Sequence, residues 1–335
     1  MPVGRIRAPG AGRKLVFHHY PSLDQAFLSI VDAYIAGDPC NEKIRWVRLT
    51  NAQIKKTLKK AGYCVGKNMV RNLLKKHGFV KRKMQRKKAC GRYEKRDEQF
   101  NNISHRIDRC KNAGNRVISM DTKKKEYLGE LYREGKVYAT QAIEVYDHDY
   151  SHLATDKVIP HGIYDLHRNK AHINLGKDHQ TADFIAYSLA KWWEAVGKKD
   201  YPCADELLLL CDAGGANSHR HHIFKIAMQH FVDKVGVSVR VTHYLPYTSK
   251  WNPIEHRLFP HISRALSGIP LTCIKQMKKI ISSVTTSTGL ITSARIISKV
   301  FNIGKRATKE MVEKLNIEFD KILPELNYVI RPTVF

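Results

Sequence analysis

Leu207-Leu208-Leu209-Leu210-Cys211-Asp212-Ala213-Gly214-Gly215 sets a carboxylate at the end of five consecutive apolar residues. A short apolar run without alternation reads as a strand buried on both faces. The glycines after Asp212 keep side chains away and let a metal ion or a phosphate approach the backbone closely. An earlier stretch has the same form, Val117-Ile118-Ser119-Met120 closing on Asp121. A third acid, Glu255, stands in Ser249-Lys250-Trp251-Asn252-Pro253-Ile254-Glu255, just after a proline at an expected helix start. Each acid has an ordinary reading: Asp often ends a strand, and Glu suits the first turn of a helix. Taken together, two strand-end carboxylates and one from a helix form an all-oxygen donor set suited to two Mg²⁺ ions. Such a pair clamps both the attacking and the leaving oxygen of a phosphodiester.

Around these acids the pattern is α/β. A charged helix over about 93–112 leads into the strand ending at Asp121. Strands are expected near 137–146 and 171–175, a helix over 181–196, the strand 206–212 and a helix over 218–234. Val237–Thr242 alternates strictly, a helix starts near 253, and a mainly helical tail runs from about 274. Strands first in succession and then alternating with helices predict a mixed sheet covered on both faces. That is compatible with an RNase H-like fold, which spacing alone does not single out.

The net charge is +27 over 335 residues. Residues 1–120 hold 28 Lys and Arg against 8 Asp and Glu, and the other 215 residues hold 30 against 23. General solubility would not concentrate the surplus in one third of the chain, so a polyanion is the expected partner, nucleic acid first. The seven cysteines are scattered with no C-x-x-C pair, which argues against a disulfide framework and a zinc finger. The start lacks an apolar leader, and no run is long enough to span a membrane. A cytoplasmic, nucleoid-associated protein is expected. No phosphate-loop or dinucleotide glycine signature occurs.

The basic third begins with a loose arm over 1–20 and a helix over about 22–36, stopped by Gly37-Asp38-Pro39. Next come Thr50–Leu58, then Gly62, then Val65–Lys76. Ile54 and Leu58 share one helical face, as do Val70, Leu73 and Leu74. Two short helices joined by a glycine-containing turn form the helix-turn-helix pattern, whose second helix enters the major groove. Lys67, Asn68, Arg71 and Lys75 decorate its outer face. The plainer reading is a helical hairpin with a solvated basic face; the charge asymmetry favours DNA. Lys81, Arg82, Lys83, Arg86, Lys87 and Lys88 then form a basic linker suited to phosphates.

Three further clusters carry less. Asp147, His148 and Asp149 offer metal-type ligands in a polar loop, a weak pattern. His219, His221 and His222 lack partners at zinc spacing and read as an exposed first helical turn. Trp192 and Trp193 read as core.

Nearly the whole chain resembles the DDE-type insertion-sequence transposases, closest to the Rhodopirellula transposase family. The resemblance runs from Gly4–Lys14 to Asn327–Pro332. Its most specific motifs are Asp121-Thr122-Lys123-Lys124-Lys125-Glu126, His148-Asp149-Tyr150, Gly162-Ile163-Tyr164-Asp165, Trp192-Trp193, Asp212-Ala213-Gly214-Gly215 and Thr248–Phe259. It implies an RNase H-like catalytic domain with Asp121, Asp212 and Glu255 as the metal-binding triad, Mg²⁺ dependence, and cutting at transposon ends. The chain departs from the family at Ala216, Ser218 and Tyr247. Pro260 is expected to kink the helix bearing Glu255.

The organisation expected is an arm (1–20), an all-helical helix-turn-helix domain (21–80), a basic linker and helix (81–114), an RNase H-like domain (115–270) and a mainly helical extension packed on it (271–335). The function expected is DNA transposition. Two Mg²⁺ ions, replaceable by Mn²⁺, serve end cleavage and strand transfer without a covalent enzyme intermediate. Double-stranded DNA is the partner, as terminal repeats and target, with a homo-oligomer assembled on it. Lys250, Trp251 and Arg257 are expected at the DNA beside the acids. The rival readings are a transposase-derived DNA-binding regulator and a structure-selective nuclease. The three intact acids disfavour the first, and the helix-turn-helix disfavours the second.

Overall fold

The computed structural model describes residues 16–38, 41–82 and 95–333, and the chain divides into two compact units, 1–87 and 88–335. The first unit runs α1 (Val16–His19), α2 (Leu23–Asp32), β1 (Ile35–Asp38), β2 (Asn41–Val47), α3 (Asn51–Lys60) and α4 (Lys67–Lys76). Thr50 caps α3 in a full capping box with Gln53, which satisfies the free donors of the first turn. Gly62, at φ +90°, turns the chain between α3 and α4 where a side chain would be strained. Leu23, Phe27 and Val31 of α2 pack with Ile54, Leu58, Val70 and Leu73 in one core. Asp24 accepts from Lys76 Nζ at 2.8 Å, pinning the end of α4 to the start of α2.

The expectation of an all-helical unit over 21–80 is corrected by β1 and β2, which pair antiparallel with Ile35 opposite Val47. The helix expected over 22–36 accordingly stops at Asp32. Cross-strand pairing outweighed a helical periodicity that local propensity sets only weakly.

The second unit begins with α5 (Arg96–Asn112). It continues through β3 (Arg116–Thr122), β4 (Glu126–Leu128), β5 (Asp156–Asp165), β6 (Lys170–Gly176), α6 (Ala182–Trp192), α7 (Lys198–Asp200), β7 (Glu206–Cys211), α8 (His222–Val235) and β8 (Ser238–His243). It ends with α9 (Pro253–Arg257), α10 (Phe259–Ala265), α11 (Ile274–Ser282), β9 (Ile291–Ile297), α12 (Lys309–Glu313), β10 (Ile317–Phe319) and β11 (Asn327–Ile330). The main sheet has the order β10-β11-β8-β7-β3-β5-β6-β9, with β4 paired to β5. β3, β5 and β6 are successive antiparallel neighbours, and β7 and β8 add parallel on the other side of β3. This is the strand order of the RNase H-like fold.

α6 and α8 cover one face, burying Phe184, Leu189, Phe224 and Phe231 against Ile118, Met120, Leu207 and Leu209. On the other face α9, α10 and α11 bring Ile254, Leu258, Phe259, Ile262, Met277 and Ile281 onto Tyr164, Ile173 and Leu175. α5 lays Ile103 and Cys110 over Val117, Leu208 and Leu210. Each large apolar side chain buried in this way contributes about 1.5–3 kcal/mol. Trp192 and Trp193 are both core, as expected.

Two expectations fail. No strand forms over 137–146: the strands between β3 and β6 are β4 and β5, and 137–146 is exposed chain without regular structure. Its sequence is largely apolar and aromatic, but β5 is already paired along its length with β3, β4 and β6 and offers it no free edge. The tail is not mainly helical either, because β9 extends the sheet beside β6 while β10 and β11 extend it beside β8. Exposed sheet edges select extended partners whatever their isolated preference. No helix among the described residues is long and apolar enough to cross a membrane.

Candidate active site

Period-2 alternation decides where the acids meet. Along β3, Ile118 and Met120 face α6 and α8, so Val117, Ser119 and Asp121 face the opposite side, where α5 and α9 lie. Ser119 pairs with Leu210 across the parallel β3–β7 ladder. Two residues further on, Asp121 and Asp212 therefore leave adjacent parallel strands at the same level. Strand neighbours are roughly 4.8 Å apart, and sites in open α/β sheets collect at such carboxyl ends.

Glu255 comes from α9, which is tied to β3. Asn252 Nδ2 donates to the Met120 carbonyl (3.1 Å), Ser119 Oγ donates to Asn252 Oδ1 (2.5 Å), and the Ile254 N–H donates to Ser119 Oγ (3.0 Å). Asp212 is oriented by Asn217, whose Nδ2 donates to its Oδ1 at 3.1 Å. Gly214 leaves this side chain clear, since a Cβ would stand 3.2 Å from Asp212 Oδ2, closer than an ordinary contact. Behind Asp212, His243 Nδ1 donates to its carbonyl (3.0 Å) and Nε2 accepts from the Tyr328 hydroxyl (3.0 Å). Burial holds that imidazole neutral, with its pKa lowered to about 3.

The electrostatics follow from burial. Asp121 is 7% exposed. Desolvation first, then the charge of Asp212, push its carboxyl well above the usual carboxylate range. A hydrogen bond with Glu255 adds to the rise, while the Thr122 N–H, 2.7 Å from Oδ1, opposes it. Asp212 is also raised by burial, against the pull of Asn217 and the Gly214 N–H. Three like charges in a dry pocket are unfavourable without a cation to neutralise them. Among the described residues no three His, Cys, Asp or Glu side chains stand as a ready-made metal cage. Asp121 interacts instead with each of the other two acids.

The remaining sequence candidates divide. Lys67, Asn68, Arg71 and Lys75 are exposed on α4, and Lys81 and Arg82 are exposed beyond it. Lys83, Arg86, Lys87 and Lys88 lie outside the described residues, as does the Gly4–Lys14 motif. Trp251 is half-exposed and meets Phe100 of α5 edge-on, with Lys250 Nζ 5.4 Å from its ring centroid. Arg257 is exposed on α9. Asp147 and His148 are exposed and stand 3.8 Å from each other. His219 is corrected: it is buried, 5.9 Å from the His243 ring, because α8 starts only at His222 and the preceding turn folds inward. Pro260 does break the helix, at Leu258 (φ −125°, ψ −59°). It then falls in the first turn of α10, where its missing N–H costs nothing. Tyr247 takes φ +62° in the exposed rim.

Sequence reasoning passed over Ser119, Gly162, Asn217, His243 and Asn252. For Ser119, Gly162 and His243 the available signal was a polar residue or a glycine inside a buried strand, which tolerates it only for a reason. Asn217 and Asn252 lie in turns and gave no such signal.

An RNase H-like sheet with acids at its carboxyl edge belongs to a class, the nucleases and transposases of that fold. The family is narrower: the chain belongs to the Rhodopirellula transposase DDE domain family, whose model matches residues 26–332. Similar solved structures include a Mos1 transposase paired-end complex with the left transposon end, at 15% identity and TM-score 0.42, covering 82% of this chain and 72% of that one. A Mos1 mariner paired-end complex with Mn (16%, TM-score 0.44, 82% and 72%) and a pre-cleavage Mos1 transpososome (15%, 0.43, 82% and 73%) are similar to the same extent. No curated protein matches the chain.

Proposed function

We propose that the chain is the transposase of an insertion sequence, with Asp121, Asp212 and Glu255 as its catalytic acids. On this reading it binds terminal inverted repeats and carries out Mg²⁺-dependent end cleavage and strand transfer, assembled as a homo-oligomer on DNA. The carrying observation is the juxtaposition of acids at Asp121, whose carboxyl is raised first by burial and then by the charge of Asp212 on the neighbouring parallel strand, and is hydrogen-bonded to Glu255. A fold does not accumulate mutually repelling carboxylates for stability; a cationic ligand gives the cluster its reason.

The donor set fits a hard divalent ion, since all three side chains offer only carboxylate oxygen. When bound, two such ions supply charge neutralisation to the attacking and leaving oxygens of the phosphodiester. The protein's part is positional. Asn217 and the Gly214 N–H hold Asp212 with its other oxygen lone pairs available. The Thr122 N–H holds Asp121, and the β3–α9 hydrogen bonds carry Glu255 to it. Lys250, Trp251 and Arg257 stand on the same segment as Glu255, where they would meet the DNA backbone and bases. The basic first unit, with Lys67, Asn68, Arg71 and Lys75 on α4 and the linker beyond, would supply recognition of the ends.

The test is Mg²⁺-dependent nicking of a labelled end duplex beside a gel-shift on the same DNA. Asp121→Asn, Asp212→Asn and Glu255→Gln should each abolish nicking and keep binding, because an amide cannot replace the charge. Asp147→Asn should keep substantial activity. Wild-type-like nicking by Asp212→Asn would sink the assignment.

A further inference from the structure

β3 carries two polar side chains within its buried run, Asp121 and, two residues before it, Ser119, which is fully buried. Its hydroxyl works in both directions, donating to Asn252 Oδ1 and accepting from the Ile254 N–H. Asn252, also fully buried, completes the tie by donating from Nδ2 to the Met120 carbonyl. Asn is a favoured helix N-cap, yet Asn252 at the N-cap of α9 makes no cap bond with its side chain. That side chain is spent on β3, and Ser119 takes over as acceptor for one of the free donors of the first turn. α9 has only five residues, too few to hold a position by itself. These three hydrogen bonds, made to the two residues immediately before Asp121, therefore set where Glu255 stands relative to Asp121.

We infer that Ser119 and Asn252 are positioning residues for the third carboxylate, and that through it they set the protein's affinity for its divalent cation. The inference rests on the acid cluster being the metal site. Both side chains lack a charge and neither is exposed, so they act only through the acids they align. Supporting groups of this kind commonly change metal affinity by about 10- to 100-fold when lost.

The experiment uses the full chain with Ser119→Ala, which removes the hydroxyl, and Ser119→Cys, which keeps the volume with a weaker hydrogen-bonding group. Two readouts are taken: the Mg²⁺ concentration for half-maximal nicking of an end duplex, and the Ca²⁺ concentration needed to raise the melting temperature, which reports binding by mass action without turnover. The half-maximal Mg²⁺ concentration should rise about tenfold or more in Ser119→Ala, with Ser119→Cys in between. The Ca²⁺ requirement should rise in parallel, while the rate at saturating Mg²⁺ stays within a few-fold of wild type. If Ser119→Ala lowers only the metal-free melting temperature and leaves both metal requirements unchanged, the contact is structural and the inference is overturned. A wild-type chain that neither nicks with Mg²⁺ nor responds to Ca²⁺ would overturn the metal-site reading, and this inference with it.

Discussion

Asp121 stands directly opposite Gly162 in the antiparallel β3–β5 ladder. A Cβ built on Gly162 would come within 2.8 Å of Ile254 Cδ1 and 3.0 Å of Phe259 Cε1. The missing side chain lets α9 and α10 sit down on the sheet beside the first acid. The glycine of the Gly-Ile-Tyr-Asp motif thus belongs to the geometry of Glu255, a residue 93 positions away in the chain.

Gly162→Val should therefore push Ile254 off the sheet and carry Glu255 with it. Overpacking of this sort costs about 1–3 kcal/mol. Nicking should fall more than stability explains, and gel-shift affinity should hold. A thermal melt and a nicking assay at a temperature where both proteins are folded would check it; full activity in the variant would show that α9 needs no such seat.

Removing one acid should relieve the metal-free fold. Asp121→Asn abolishes repulsion with Asp212 while keeping an acceptor for the Thr122 N–H, so without divalent ions it should melt at or above wild type. The gain is about 2–4 °C for each kcal/mol of relief. With Mg²⁺ the order should reverse, since only the wild type gains bound cations. A variant that melts well below wild type in chelator would place Asp121 among ordinary structural aspartates.

α4 exposes Asn68 and Arg71 in its first turns and Lys75 near its end. Asn68→Ala or Arg71→Ala should lose preference for the terminal repeat by about 1–3 kcal/mol. Lys75→Ala should weaken specific and random DNA alike and lower the salt slope. Competition gel-shifts at two salt concentrations separate these cases, and equal losses on both DNAs for Arg71→Ala would make it a phosphate contact.

His172 is buried in the second unit, with its pKa lowered to about 4 chiefly by desolvation. The unfolded ring takes a proton near pH 6.5, so between about pH 6.5 and 4 the unfolded chain binds more protons and stability falls as pH falls. Above pH 7 the ring contributes no slope. The loss is up to about 1.4 kcal/mol per pH unit. Asp121 and Asp212, with raised values, act in the opposite sense, so the comparison has to be between variants. His172→Gln should lose less stability than wild type on going from pH 6.5 to 4.5 in denaturant titrations. Identical pH slopes would mean that the folded ring titrates normally.

Legibility in the sequence followed the range of the forces involved. The two acid-tipped apolar runs were readable because a strand buried on both faces must be apolar along its length, and β3 and β7 are such strands. Thr50 as a cap and Gly62 as a turn were readable because their interactions close within a few residues. The failures, the strand expected over 137–146 and the helical tail that became β9, β10 and β11, lie where a partner edge decides. Neither edge is visible to a local window.

By itself the sequence determined the class of the fold, the basic bias of the first unit and the family, and it singled out Asp121, Asp212 and Glu255 as the candidate acids. Each of these depends on residue type and short spacing. Tertiary structure alone decided that the strand order is β6-β5-β3-β7-β8, that the register levels Asp121 with Asp212, and that Glu255 meets Asp121 where Ser119, Gly162 and Asn252 seat α9 on the sheet. These are contacts between residues tens to more than a hundred positions apart. Their free energy comes from burial and hydrogen bonds that exist only once the sheet has assembled, and nothing in the neighbouring sequence of any one of them encodes its partner.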